Sequence, residues 1–340
     1  MDCIGLDLHK RDSQLCVLTE AGEVIERRVR TDPARFAAVL GGRPAARILL
    51  EASTESEWAA RCLEELGHEV VVADPSYAPV YATHARNVKA DRRDARALAE
   101  ACRVGAYRPA HRLSEARRHV RAELMGREAL VRTRTRYAIL IRTLTRRDGL
   151  RLPSGSAEHL AARAAALAMP DALRAELVPL VALLAPLQAE IDAAGRRLAA
   201  LVAAGPVMRR LTSVPGVGPV TAAAFVAALD DVGRFGRAHE VEAYLGLVPR
   251  ERSSGERQRR GAITKAGNPR VRWLLTEAAW NVLRSRRPEA EPLRAWARRI
   301  AARRGAGVAV VALARRLAGI LFAMWRDGSA FGQRRRRAAA

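Results

Sequence analysis

The first 112 residues alternate short apolar runs with amphipathic stretches, and this alternation limits the fold more than any other feature of the chain. Aliphatic runs that end at turn residues predict strands, and apolar spacings of three and four predict helices. Strands are predicted at Cys3–Leu8, Ser13–Thr19, Val24–Val29, Ala46–Leu50 and Glu69–Ala73, and helices at Asp32–Leu40, Glu55–Leu66 and Asp91–Val104. Strands that alternate with helices in this way form an α/β layer with a mixed sheet.

Four carboxylates occupy notable places in these elements. Asp7 is predicted in the middle of an otherwise apolar strand, Glu51 follows the fourth strand, and Asp91 and Asp94 share a face of the helix that they begin. Singly, most of them have ordinary explanations, such as a helix cap, a first-turn acid or an exposed strand end. Converging carboxylates repel one another unless a hard cation lies between them. The set therefore predicts a site for Mg²⁺, with Mn²⁺ as a substitute.

The charge of the chain predicts an anionic partner. Lys and Arg number 59 against 36 Asp and Glu, which gives a net charge of +23. Such a surplus favours nucleic acid, with an anionic membrane surface as the weaker alternative. The apolar run Ala306–Trp325 contains Arg315 and Arg316 and is interpreted as too short and too charged to cross a membrane. Four widely spaced cysteines are typical of reduced thiols in the cytoplasm.

The middle of the chain predicts long helices. Leu113–Leu150 is an arginine-rich helical stretch, and leucines and other apolar residues then recur at spacings of four and three from Leu173 to Leu201. This heptad seam is typical of a coiled coil, although Pro179 and Pro186 would kink it. The seam leaves two alternatives open, because it does not identify its own partner. They are an intramolecular helical hairpin and a coil that joins two copies of the chain.

A glycine-containing turn follows these helices. Leu211–Ala222 reads LTSVPGVGPVTA, in which Gly216 and Gly218 precede an alanine-rich helix. The pattern matches a helix-hairpin-helix, whose backbone N–H groups contact a phosphate without reading base sequence. A tight helix–helix turn without a ligand is the alternative.

The most basic stretch is Glu251–Arg272, with the sequence ERSSGERQRRGAITKAGNPRVR. With Arg250 it carries eight cations against two carboxylates, and glycines punctuate it, which predicts a loop. The adjacent hydroxyls of Ser253 and Ser254 lie among the cations. Taken alone, these residues favour a loop that grips phosphate over a loop with a catalytic serine. The predicted nucleic-acid contacts here are Arg257, Arg259, Arg260, Lys265, Arg270 and Arg272, in addition to Gly216 and Gly218 of the turn.

Several of these motifs together resemble one enzyme family. IGLDLHK, LLEAS, VVVADPSYAPVYA and NVKADRRDARALAE resemble the RuvC-like half of the DEDD transposases of the insertion-sequence one-ten family. LTSVPGVGPVTAAAFVAAL, AYLGLVP and SSGERQRRGAITKAGNPRVRWLL resemble the C-terminal half of that family. The resemblance implies an α/β RuvC-like (RNase H-like) mixed-sheet domain, then a helical coiled-coil segment, then a mostly α C-terminal domain with a helix-hairpin-helix. The expected domains are residues 1–112, 113–205 and 206–330, with a basic tail at 331–340.

The resemblance also implies roles for residues and partners. Asp7, Glu51, Asp91 and Asp94 correspond to the acidic quartet that binds Mg²⁺, and Ser254 corresponds to the nucleophile, with Ser253 as the adjacent alternative. The implied partners are the DNA of element ends and target, an element-encoded guide (bridge) RNA, and further copies of the chain in a homodimer or homotetramer. The chain departs from the family pattern at Asp74-Pro75, at Lys89-Ala90-Asp91 and at Ala52-Ser53 after Glu51.

These features predict a DNA transposase or recombinase of the bacterial cytoplasm, associated with the nucleoid and not with a membrane. It would cleave and rejoin phosphodiester bonds through a phosphoserine intermediate. Two alternatives stay open on the sequence. One is a metal-dependent RuvC-like nuclease in which water attacks, and the other is a non-enzymatic helix-hairpin-helix protein that binds DNA.

Overall fold

The structure is a computed structural model that describes residues 1–80, 91–251 and 260–332, with the backbone alone at 78–80 and 260. The chain forms two compact units, Met1–Arg112 and Leu113–Ala340. The first unit is a mixed α/β layer and the second is mostly helical in its described part. The predicted fold class is confirmed at that level.

The sheet of the first unit has five strands. They are β1 (Cys3–Asp7), β2 (Asp12–Leu18), β3 (Val24–Arg30), β4 (Arg47–Glu51) and β5 (Glu69–Ala73). Their order across the sheet is β3-β2-β1-β4-β5. The first three strands form an antiparallel meander, and β4 and β5 continue the sheet in parallel with β1. The carboxyl ends of β1 and β4 therefore lie at the same edge.

Helices cover both faces of this sheet. They are α1 (Pro33–Leu40), α2 (Ser56–Glu65) and α3 (Asp91–Val104). Because side chains alternate along a strand, Ile4 and Leu6 of β1 pack with residues of α1 and α2, whereas Cys3 packs with residues of α3. Gly5 lies directly under α3, and a Cβ at this position would come within 2.0 Å of the Ala95 carbonyl oxygen. Only glycine allows the helix to lie this close to β1.

The second unit contains most of the helices. They are α4 (Glu115–Arg147), α5 (Leu160–Ala165), α6 (Asp171–Ala182), α7 (Leu184–Ala204), α8 (Pro206–Leu211), α9 (Pro219–Leu229), α10 (Ala238–Tyr244), α11 (Pro269–Arg284), α12 (Glu291–Arg304) and α13 (Ala306–Asp327). The central helix α9 is buried from Thr221 to Leu229. Helices α10, α11 and α12 pack on α13. This arrangement forms one apolar core around α9, α11 and α13.

The heptad seam packs within the chain. It is divided between α6 and α7, which break at Leu183, and Pro179 lies inside α6. Both helices pack against α4, and Leu177, Ile191 and Leu198 are each less than 5% exposed. The chain's own α4 therefore covers the seam, as in an intramolecular hairpin, while the predicted coil between two copies stays a prediction.

Three details differ from the sequence-based expectations. Asp7 ends β1 instead of lying within it, because its pair with Gln14 is the last pair between β1 and β2. Glu251–Arg272 is not a loop throughout, since β6 (Pro249–Glu251) and β7 (Arg260–Ile263) form an antiparallel pair and α11 begins at Pro269. These strands are too short to show an apolar period.

The third difference concerns α13, which was expected to be too short for a membrane span. By length and composition, α13 and the stretch Asp171–Ala204 could each cross a membrane. Half of the most apolar window of α13 is buried inside the protein, and Leu313, Leu317 and Leu321 are fully enclosed in the core. A buried core helix passes the same test of length and composition, and such a helix explains the apolar character of α13.

Candidate metal centre

Asp7 and Glu51 lie side by side because of the register of the sheet. Leu6 pairs with Leu50 in the parallel ladder, so the next residues on the two strands are Asp7 and Glu51. Both follow buried aliphatic residues and are themselves half-buried. Gly5 and Asp7 are two residues apart on one strand, so both point to the face of the sheet that α3 covers.

Helix α3 brings two further carboxylates to this edge. Asp91 and Asp94 lie in its first turn, where the positive end of the helix dipole favours negative charge. The close contact between Gly5 and the backbone of Ala95 fixes the start of the helix over β1. Asp94 is half-buried, whereas the Asp91 side chain is 62% exposed, so the cluster is open to solvent on the Asp91 side.

The ionisation of Asp7 reflects all four carboxylates. Burial is the main cause that raises the pKa of Asp7, and the negative charges of Asp94, Asp91 and Glu51 raise it further. His9 opposes this shift. The sequence-predicted acids therefore lie near enough to one another to repel, and a cation among them would relieve the repulsion.

His9 is a member of the cluster that the sequence reasoning missed. Its Nε2 atom lies 3.1 Å from Asp7 Oδ2 and 3.4 Å from Asp91 Oδ1. One ligand atom from each of these three residues lies within 4.8 Å of the other two, a spacing that can hold a metal ion. The motif IGLDLHK could have identified it, because His9 follows Asp7 by only two residues, just after the end of β1.

The donor atoms fit a divalent cation. Asp7 Oδ2 and His9 Nε2 are closed to solvent, and neither has a hydrogen-bond partner among the residues described. Their separation of 3.1 Å is short enough for an ion pair, but their alignment is not that of a hydrogen bond. A cation bound between them would satisfy both atoms. Carboxylate oxygens suit Mg²⁺ and Mn²⁺, and an imidazole nitrogen favours Mn²⁺ and other transition metals over Mg²⁺.

The predicted serine segment lies outside the described residues. Ser253, Ser254, Arg257 and Arg259 all fall between 251 and 260, where β6 ends and β7 begins. Of the predicted phosphate contacts after this segment, Lys265 is exposed and has a left-handed backbone with φ of 58°. Its N–H donates to the carbonyl of Gly246. Its backbone is therefore fixed while its side chain faces solvent.

Arg270 and Arg272 have partners within the protein. Arg270 Nε lies 3.0 Å from Glu128 Oε2, and its guanidinium lies over the Trp273 ring at 4.5 Å. Arg272 donates from Nη1 to the carbonyls of Leu245 and Ala266, and so ties the end of α10 to the segment before α11. Burial lowers the pKa of both arginines. Part of their role is therefore structural.

The two glycines of the predicted hairpin have different surroundings. Gly216 has φ of 82°, and a Cβ there would come within 2.4 Å of the Ala278 carbonyl oxygen of α11. Gly218 is the N-cap of α9, and nothing lies within 4 Å of the place where its Cβ would be. Gly216 thus serves helix packing, whereas Gly218 is open enough for a ligand to approach.

Comparison with known proteins connects these two units to one class of enzyme. Residues 4–146 match the family model DEDD_Tnp_IS110, described as a transposase. Residues 208–293 match the model described as the transposase IS116/IS110/IS902 family. The first match contains all four carboxylates and His9, and the second contains the glycine turn and the serine segment.

Individual relatives extend over nearly the whole chain. A protein of Pseudomonas aeruginosa named "Probable family 20 transposase" is 32% identical over 94% of this chain and 96% of its own length. The transposase for insertion sequence element IS1111A of Coxiella burnetii is 29% identical over 94% of this chain and 88% of its own. The transposase for IS1328 of Yersinia enterocolitica is 25% identical over 97% and 98%.

Proposed function

Because this chain belongs to the IS116/IS110/IS902 family of insertion-sequence transposases, which are DNA-recombining enzymes, we propose a role for the carboxylates on the α3 face of its sheet. They form the centre that breaks and rejoins DNA. The observation that carries the proposal is the convergence of Asp7, His9 and Asp91, with ligand atoms within 4.8 Å of one another. The raised pKa of Asp7, to which Glu51 and Asp94 contribute, supports it. A DEDD transposase domain implies a divalent metal, for which we propose Mg²⁺, with Mn²⁺ as a substitute.

Each residue of this cluster has its own role in binding the cation. Asp7 and Asp91 provide oxygen ligands, His9 lies between them, and Glu51 and Asp94 complete the negative charge. When bound, the divalent cation supplies Lewis-acid polarisation of the scissile phosphate. The exposed side of Asp91 leaves a path by which a DNA strand can reach the cluster.

Ser254 is our proposed nucleophile, with Ser253 as the adjacent alternative. Its Oγ forms a bond to phosphorus, the bond from phosphorus to one strand oxygen breaks, and that strand leaves with a free hydroxyl. The serine proton passes to solvent, and the departing oxygen takes a proton from solvent. The hydroxyl of another strand then attacks the phosphoserine, which restores the serine and joins the strands. The cations near the serine in sequence, Arg257, Arg259, Arg260 and Lys265, would stabilise the charge on the phosphate.

Three further features belong to this proposal. The chain acts on element-end and target DNA with an element-encoded guide RNA, which supplies base choice through pairing. It works as a homodimer or homotetramer, in which the serine of one copy completes the acidic cluster of another. It acts in the bacterial cytoplasm at the nucleoid. The surplus of 23 positive charges supports the binding of both nucleic acids.

A covalent-adduct assay tests the serine mechanism. The protein is incubated with labelled DNA carrying the element's ends, the adjacent non-coding RNA and Mg²⁺, and is then resolved on a denaturing gel. We expect a DNA–protein adduct from the native chain and from Ser253→Ala, and none from Ser254→Ala or Asp7→Asn. An adduct that survives Ser254→Ala would remove Ser254 from this role. Metal-dependent cleavage without any adduct would favour attack by water, and binding without cleavage would favour a DNA-binding protein that is not an enzyme.

A further inference from the structure

The second unit contains a basic cleft that none of the proposed chemistry uses. It lies where α4 ends and the chain turns toward α5, and it has a volume of about 940 Å³. Pockets of about 300–1,000 Å³ are typical of ligand sites. Its lining includes three arginines and three apolar residues, namely Arg142, Arg146, Arg151, Leu150, Leu152 and Pro153. The cleft therefore combines concentrated positive charge with an apolar surface.

The charge of these arginines is not neutralised by the protein. In the part of the chain that the structure describes, no acidic residue lines the cleft, and none of its three arginines lies within ion-pair distance of a carboxylate. Arg147, the neighbour of Arg146, differs because its Nη2 lies 3.1 Å from Asp148 and 2.7 Å from Glu176. A cleft lined by charges of one sign concentrates its electrostatic potential and attracts counter-ions.

The wall of the cleft is held in place by a residue outside it. Arg163 of α5 donates from Nη2 to the Ser156 carbonyl at 2.7 Å. A Cβ on Gly155 would come within 2.3 Å of Nη1 of the same arginine. Across the cleft, Thr145 is fully buried and donates its hydroxyl to the Arg142 carbonyl. The chain next to one side of the cleft is thus tied to α5, and the hydroxyl of Thr145 on the other side already has a partner within α4.

We propose that this cleft binds a single-stranded segment of nucleic acid through its phosphates. Arginine guanidinium groups match phosphate oxygens in pairs, and Leu150, Leu152 and Pro153 can contact the sugars and bases of the bound strand. A concave site suits a flexible single strand better than the convex backbone of a duplex. The proposal adds a second nucleic-acid site to the proposed function and depends on it only in that the chain handles nucleic acid.

Binding measurements in EDTA test this site apart from the cleavage chemistry. The full chain is titrated into labelled 20-nucleotide single strands of mixed sequence, one DNA and one RNA, and into the corresponding DNA duplex. The test variant carries Arg142→Gln, Arg146→Gln and Arg151→Gln. The matched control carries Arg298→Gln, Arg299→Gln and Arg303→Gln on α12, where all three side chains are exposed and have no ion pair among the described residues.

We expect the test variant to bind a single strand at least tenfold more weakly at about 0.15 M salt, and the control to stay within about threefold. The slope of log affinity against log salt should fall by about 2 in the test variant, because each lost phosphate contact removes about 0.7 for a single strand. The single strand, RNA or DNA, for which the test variant loses more affinity is the natural ligand of the cleft. Equal losses in the two variants would overturn the proposal, as would a loss confined to the duplex.

A single substitution covers the case in which the triple variant does not fold. Arg151 is exposed and lies outside any helix, so Arg151→Glu reverses a cleft charge without disturbing α4. Its thermal midpoint should match that of the native chain, and its affinity for the preferred single strand should fall at least threefold. Unchanged single-strand affinity in folded Arg151→Glu would contradict the proposed site, whatever the cleavage assay shows.

Discussion

Asp7 ends a strand whose other side chains are apolar or absent, and burial and three neighbouring carboxylates all raise its pKa. The ionised side chain is therefore less stable in the folded metal-free protein than in the unfolded chain. A residue that opposes folding in this way is typical of a functional site, where binding of a ligand removes the conflict.

We predict that Asp7→Asn stabilises the metal-free protein at pH 7 by about 0.5–2 kcal/mol, the usual range for relief of such a conflict. Because the folded pKa is raised, the penalty is absent below the unfolded pKa and grows as pH rises toward the folded pKa. The gain should therefore disappear in acid. Denaturant unfolding in EDTA over a pH series measures it, and a gain that persists unchanged in acid would contradict the explanation.

His9 is the second residue whose role depends on the metal. We predict that His9→Ala weakens Mn²⁺ binding by about tenfold or more and weakens Mg²⁺ binding less, because imidazole nitrogen prefers transition metals. Calorimetry measures both affinities, and the nitrogen hyperfine coupling of bound Mn²⁺ should be lost in the variant. His119→Ala is the control, since His119 is exposed on α4 and faces Glu115. Equal losses of Mn²⁺ and Mg²⁺ affinity in His9→Ala would show that His9 does not select between the two metals.

At the scale of elements, α3 and the β1–β4 pair together build the cluster. The sequence predicted the bounds of α3 and β5 as observed, because Gly and Pro residues and helix-start acids mark their ends. It also predicted that Glu51 lies at the end of its strand. The sequence did not identify His9 as a member of the cluster, because the distance between His9 and Asp91 depends on how α3 packs on the sheet. The sequence analysis also missed β6 and β7, which are too short to show an alternation of apolar and polar residues.

We predict that Gly5→Ala destabilises the protein by about 3 kcal/mol or more and reduces metal binding, because the new Cβ would overlap the backbone of α3. Gly42→Ala is the matched control, since nothing lies within 4 Å of its Cβ position and its φ is not positive. Denaturant unfolding and metal titration of the two variants measure the difference. Native-like metal affinity in Gly5→Ala would show that the close packing of α3 on β1 does not position Asp91 and Asp94.

The seam between α4 and α7 shows what a periodic pattern leaves open. The period predicted a buried apolar face but not the surface that covers it, and in the structure α4 covers it. We predict that Ile191→Ala costs about 2–5 kcal/mol. The loss should not depend on protein concentration, because the side chain is buried within one chain. Unfolding midpoints measured over a hundredfold range of concentration test this, and a strong dependence would indicate a seam between copies.

At the scale of the whole molecule, the proposed metal ligands and most of the proposed nucleic-acid contacts fall in different units. The four carboxylates and His9 lie in the unit Met1–Arg112, whereas the serine segment and the basic cleft belong to Leu113–Ala340. Motifs that resemble one family predicted the metal ligands in the first unit and the nucleophile in the second, and both roles stay predictions. The sequence did not predict the cleft, because residues 142–151 carry no motif and the cleft exists only once α4 ends and the chain turns back.

Metal-dependent cleavage of DNA that carries the element's ends tests the central claim most directly. Three proteins are compared in Mg²⁺ with the adjacent non-coding RNA: the native chain, Asp7→Asn, and the control Asp12→Asn, whose carboxylate lies on β2 beside Arg28. With folding checked by thermal melting, we predict that Asp7→Asn lowers the cleavage rate by about a thousandfold or more, because it removes a ligand of the cation that polarises the scissile phosphate. Asp12→Asn should stay within about threefold. Cleavage by Asp7→Asn at the native rate, or by the native chain in EDTA, would contradict the proposed metal centre.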